Sequence, residues 1–151
     1  MSRFTDHLGL VLLEYSSGRP VLRGGRVLWR LSSPLTWEVG ELGSGVLIIV
    51  PSFDPIGWTD EALRTIRFAG VTDLASIPPL ARGLLPPDGP WAKAAVLHDQ
   101  GYISAGWDGA MSRKEVDDLL NEAMKALGVP ALKRALIYRA VRLFGASRWG
   151  T

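Results

Sequence analysis

Ala94-Ala95-Val96-Leu97-His98-Asp99-Gln100-Gly101-Tyr102 is the stretch of this chain whose residue types and spacing could do chemistry. On a helix, His98 and Tyr102 stand four apart and Asp99 and Tyr102 three apart, so the three share one neighbourhood. Ionisable groups and a phenol beside an Ala/Val/Leu face are costly unless they are paired or used. His98 is the candidate general base, because an imidazole titrates near neutrality. The alternative is a structural imidazole bonded to a neighbour. Asp99 could ligate a hard cation such as Ca²⁺ or orient a partner side chain. The alternative is a carboxylate near a helix end, bonded to backbone or solvent. Tyr102 could hold a carboxylate through its hydroxyl, or lie at the core edge as tyrosines commonly do.

A catalytic His needs a carboxylate from elsewhere to fix its tautomer and stabilise the imidazolium. The helix that starts at Ser112 supplies two. Its stripe centres near Val116, Ala123 and Leu127, and at about 100° per residue Asp118 points away into solvent. Asp117 sits at the stripe's edge and can reach inward, which makes it the expected partner of His98. It could equally be a carboxylate favoured by the helix start. A second dense cluster is Val71–Pro79, with Thr72, Asp73 and Ser76 around a turn stiffened by two prolines. Asp73 could join Asp99 on a metal, or the turn could supply donors to an oxyanion. It could also be a hydrogen-bonded turn packing strands against helices. Ser76 lacks a Gly-x-Ser-x-Gly elbow, which argues against a serine nucleophile.

The elements that must position these residues divide the chain in two. The first part, to about residue 80, reads as strands and turns: 9–15, 25–31, 35–39 and, most clearly, Gly45–Val50, closed by Pro51. Ser52–Arg64 reads as an insertion with a helical turn capped by Thr59, followed by a strand over 65–69. Gly83–Pro90 is a Pro/Gly-rich connector. A helix runs from near Pro90 to about Tyr102, a loop covers 104–111, and a capping box of Ser112 and Glu115 starts the next helix. Gly128 ends it. The last helix begins near Pro130, with Leu132, Leu136, Ile137, Ala140, Val141 and Phe144 on one face. The pattern predicts one α+β domain over 1–151: a small, mostly antiparallel sheet in 1–80, then about three helices in 88–147.

Composition narrows the function. The chain has 151 residues, enough for one real core. A net charge of only +2 gives no bulk case for nucleic acid. Yet from Ala131 onward Lys133, Arg134, Arg139, Arg142 and Arg148 stand without an acidic residue. That tail could meet phosphate, lipid headgroups or an acidic partner, or be a solvated helix face. The absence of cysteine excludes disulfides, thiolate catalysis and Cys-zinc sites. No apolar run is long enough to span a bilayer, and the N-terminus lacks a signal-peptide layout, so a soluble protein or assembly component is expected.

Four segments in order, FAGVTDLASIP (68–78), AAVLHDQGY (94–102), SRKEVD (112–117) and YRAVRLFG (138–145), resemble the DUF1353 family of uncharacterised phage and prophage proteins. The resemblance covers roughly Ile66 to Trp149, and the Ser52–Arg64 segment looks like an addition to it. It implies a phage-related setting, in the virion or in the bacterial cytoplasm during assembly, with other phage structural proteins or a second copy as partners. His-Asp-x-x-Tyr with an Asp on the next helix is also similar to phospholipase A2. There the His activates water, the adjacent Asp binds Ca²⁺ and the distant Asp orients the His. By position this implies His98, Asp99 and Asp117, with Tyr102 supporting Asp117, acting on a lipid or envelope ester. The Tyr-x-Gly-x-Gly calcium loop of those enzymes is absent, so the Thr72–Pro78 turn would have to replace it. HD-domain phosphohydrolases also carry Ala-x-Leu-His-Asp runs, but they need an upstream metal-binding His, and only His7 is available. Two functions therefore stand side by side. One is a metal-dependent hydrolase. The other is a virion tail or neck component, or accessory, in which His98, Asp99, Tyr102 and Asp117 form a buried polar network.

Overall fold

The computed structural model describes residues 2–40, 43–65, 69–74 and 91–150. Among the described residues eight short strands come first: β1 (Arg3–Phe4), β2 (Leu10–Leu12), β3 (Leu22–Arg23), β4 (Arg26–Val27), β5 (Trp29–Leu31), β6 (Leu35–Glu38), β7 (Leu47–Val50) and β8 (Val71–Thr72). Helix α1 (Asp60–Thr65) lies between β7 and β8. After them come α2 (Ala92–Ile103), α3 (Ala105–Gly109), α4 (Arg113–Ala126) and α5 (Ala131–Phe144), then a 3₁₀ turn, Ala146–Arg148.

The chain is α+β with antiparallel strands. The strands form three small sheets rather than one: β1-β6-β7, β2-β5-β8 and the β3-β4 hairpin. In β6, Leu35 and Trp37 point into the core, and Trp37 stacks edge-on against Phe4 at 4.7 Å. In the second sheet Trp29 pairs with Thr72 and Arg30 with Val71. That pairing carries Thr72 to the side of α2.

The structure differs from the expected strand over 65–69 at both of its ends, since Ala69 lies in a turn. Thr65 is the last residue of α1, its hydroxyl bonded back to the Glu61 carbonyl, and the strand is Val71–Thr72. Residues 66–68 and the 83–90 connector lie outside the described residues. The inserted segment is no loose addition. Phe53 and Leu63 are buried in a second apolar cluster with Leu13, Val21, Leu28 and Val71. Asp60 accepts from the Ser16 amide (2.9 Å) and hydroxyl (2.6 Å). Thr59 caps α1 through the Ala62 amide, as its sequence position predicts.

Helix α2 is the centre of the main core. Every residue from Ala94 to Tyr102 is buried, so it has no solvent face to carry its polar residues. Helix α4 crosses it closely at Gly101, where a Cβ would come within 2.5 Å of Val116. The capping box at Ser112 and Glu115 forms as expected, with both reciprocal bonds present. The loop expected over 104–111 holds a left-handed turn instead. Ala105, Gly106, Trp107, Asp108 and Gly109 all have positive φ, from 49° to 90°. The Ser104 hydroxyl caps this turn through the Trp107 amide. The last helix departs most from expectation. Ile137 and Val141 are buried, but Leu132, Leu136 and Phe144 are exposed.

Candidate functional site

Asp117 is completely buried, at 0% exposure. Its Oδ1 accepts from His98 Nε2 at 2.8 Å and from the Tyr102 hydroxyl at 2.7 Å. Its Oδ2 accepts from Arg142 Nη1 at 2.7 Å, with Arg113 Nη1 further off at 3.5 Å. Helices α2, α4 and α5 thus converge on one carboxylate. Helix geometry explains the convergence. His98 and Tyr102 are one turn apart on α2, their rings 4.4 Å between centroids, and present two donors to the same oxygen. Asp117 points to α2 because it follows Val116, which packs on Gly101. Gly145 completes the fit: a Cβ there would stand 2.6 Å from the Tyr102 hydroxyl. Trp149 closes the outer side, edge-on to Tyr102 at 5.3 Å.

Burial raises the Asp117 carboxyl, but bonds from His98, Arg142 and Tyr102 outweigh it and hold the group below the ordinary carboxylate range. Asp117 is therefore an anion. Burial, and then its bond to Asp117, push the Tyr102 phenol well up. Arg113 also binds the carbonyls of Val141 (3.2 Å) and Arg142 (3.2 Å), a cation on the C-terminal end of α5. Asp118 lies on the outer side, 45% exposed, but it is not simply solvated. It accepts from Lys114 (2.7 Å) and from Tyr138 of α5 (2.5 Å), and both hold its carboxyl down.

Asp99 does not join this network. It faces β8, where Thr72 donates its hydroxyl to Asp99 Oδ2 and accepts from the Leu74 amide at 3.0 Å. Beside it Gln100 accepts from the Gly70 amide at 3.1 Å, so α2 holds the β8 segment through consecutive side chains. Asp99, Asp73, Thr72 and Tyr102 line a cleft of about 170 Å³, together with Arg23, Arg26 and Arg148. His98 is 2% exposed and does not line it.

The sequence therefore anticipates the grouping of His98, Tyr102 and Asp117, and the nearness of Asp73 to Asp99. It misses both arginines on Asp117, and Thr72 as the partner of Asp99. Arg113 had a readable signal, standing four residues before Asp117 on one helix face. Arg142 comes from another helix and had none. Ser76 and the rest of the turn to Pro79 lie outside the described residues. Asp73 and Asp99 are two carboxylates, and among the described residues no three His, Asp or Glu side chains gather to hold a metal. With three arginines on the same cleft, this donor set does not fit a calcium ion.

Fold and site define an α+β protein whose three main helices are joined on a buried His–Asp–Tyr constellation. The chain belongs to the DUF1353 family, described as a protein of unknown function: the family model matches residues 59–141, more than half of the chain. The match begins ahead of α1, so that helix lies within the family region rather than in an addition to it. No curated protein and no solved structure matches the chain.

Proposed function

We propose that this chain is a non-catalytic component or accessory of a larger assembly, of the phage tail or neck kind, and that the His98–Tyr102–Asp117 constellation serves as its internal lock. The supporting observation is the state of Asp117. It is fully buried and already carries donors from three helices, two of them guanidinium groups. A general base gains from a carboxylate whose charge is left to stabilise the imidazolium. Here Arg142 and Arg113 offset that charge before His98 takes a proton. The imidazole is also shut away from the cleft. Satisfied polar networks of this kind fix one packing arrangement. Membership of the family is what suggests the phage setting.

A second reading is hydrolysis of a lipid or envelope ester with His98 as base. It draws on the 2.8 Å His98–Asp117 contact and on Tyr102, which touches both the network and the cleft. The two readings separate in one experiment. Wild type and His98→Gln are compared for unfolding midpoint and for hydrolysis of phospholipid and thioester probes, with and without Ca²⁺. The lock predicts a lowered midpoint and no hydrolysis in either protein. Turnover by the wild type that vanishes in an equally stable variant would overturn it in favour of the hydrolase.

A further inference from the structure

Helix α5 is apolar on two sides. Ile137 and Val141 face the core, while Leu132, Leu136 and Leu143 are 73%, 44% and 74% exposed. At about 100° per residue these three leucines fall within an arc of about 40°, roughly opposite the buried pair. They form a stripe over three turns that is exposed among the described residues. Arg139 lies on the edge of the same stripe, and Lys133 flanks it beside Phe144, which is 55% exposed.

The charged residues of α5 itself have one sign; the acidic neighbour Asp118 on α4 meets it at Tyr138, away from the leucine stripe. Five basic residues and no acidic one stand from Ala131 to the end. Arg142 is spent on Asp117 and Arg134 on the Val129 carbonyl at 3.0 Å. Lys133 and Arg139 are exposed and make no hydrogen bond or ion pair among the described residues.

We infer that the outer face of α5 docks on an anionic lipid surface, with Leu132, Leu136 and Leu143 entering the headgroup–acyl boundary and Arg139 and Lys133 meeting lipid phosphates. A leucine stripe with basic flanks is the chemistry of an interfacial helix. An arginine on the stripe's edge fits a lipid boundary, where its stem lies along apolar surface and its head reaches phosphate. In a protein groove it would need a dedicated carboxylate. A second copy would bring cations against cations. Among the described residues no helix is long and apolar enough to cross a membrane, so the contact lies on the surface.

The test is flotation of the full chain with vesicles of phosphatidylcholine alone, or of phosphatidylcholine and phosphatidylglycerol in equal parts. Leu136→Glu/Leu143→Glu and Arg139→Glu are run in parallel. Both alter exposed positions, and their unfolding midpoints confirm the fold. Binding should be about tenfold or more tighter to the anionic vesicles and should weaken with salt. The leucine pair should abolish it and Arg139→Glu reduce it. Failure of the wild type to float with anionic vesicles would overturn the inference, as would full binding by the leucine variant. A concentration-dependent dimer lost in that variant, without vesicle binding, would assign the face to a second copy instead.

Discussion

Asp117→Asn is the sharpest perturbation of the buried lock, because it changes the chemistry and almost nothing of the shape. An asparagine offers one acceptor oxygen and an NH₂ that only donates. Both sides of Asp117 face donors: His98 and Tyr102 at one oxygen, Arg142 at the other. Turned toward Arg142, its NH₂ meets a guanidinium that only donates; turned toward His98 and Tyr102, it is accepted only if the imidazole changes tautomer or the phenol gives up its donation. Two cations also lose their counter-charge. Breaking a buried pair by removing one partner costs about 3–5 kcal/mol. The arginine side chains are 21% and 30% exposed, so water relieves part of that. The expected loss is therefore at the low end, about 3 kcal/mol, a fall in Tm of about 10 °C for a chain of this size. Urea unfolding followed by tryptophan fluorescence measures it, and a lower midpoint at an unchanged slope identifies the loss as one of stability. A change below about 0.5 kcal/mol, the level of an ordinary surface substitution, would refute the reasoning.

Three further outcomes follow from the same geometry. The Asp117 carboxyl lies below its ordinary value of 3.8 when folded, so its stabilising contribution is present above that value and is lost as pH falls toward the depressed one. Wild-type stability should therefore drop below about pH 4, and a midpoint-versus-pH series should show a smaller drop in Asp117→Asn. Leu63→Ala should cost about 2–4 kcal/mol, since Leu63 is 4% exposed and anchors α1 in the second cluster. Denaturation measures this, and a near-neutral result would mean that the inserted segment is not part of the core. Ala105→Gly should stabilise by about 0.5–1 kcal/mol, because Ala105 sits at φ 49° in the left-handed turn. A destabilised variant in the same assay would contradict that backbone conformation.

What could be read from the sequence was local. Ser112 and Glu115 announce a helix start by their spacing, and the phase of α4 separates Asp117, which turns inward, from Asp118, which does not. The repeat along α2 places His98 and Tyr102 one turn apart. Sequence pattern and structure part where neighbours in space decide. Thr-Ile-Arg-Phe-Ala at 65–69 has strand composition, but Thr65 completes a helix that Asp60 and Leu63 hold in place. Leu132, Leu136 and Phe144 have the hydrophobicity of core residues. Only Ile137 and Val141 of α5 are fully buried, with Ala140 packed beside them, so the exposure of the others depends on what the helix packs against. The left-handed turn at 105–109 follows from the Ser104 cap and the packing of Trp107 rather than from residue preference, since three of its residues have a Cβ. Arg142 on Asp117 is a contact over 25 positions, set by the docking of α5.

The proposed lock makes His98 and Asp117 a structural pair that joins α2 to α4. A double-mutant cycle on unfolding free energy measures it, using wild type, His98→Ala, Asp117→Asn and the double variant. The lock predicts a coupling energy of about 1.5–3 kcal/mol, the range for a hydrogen bond to a charged group. Additive losses, with coupling within about 0.5 kcal/mol of zero, would contradict it.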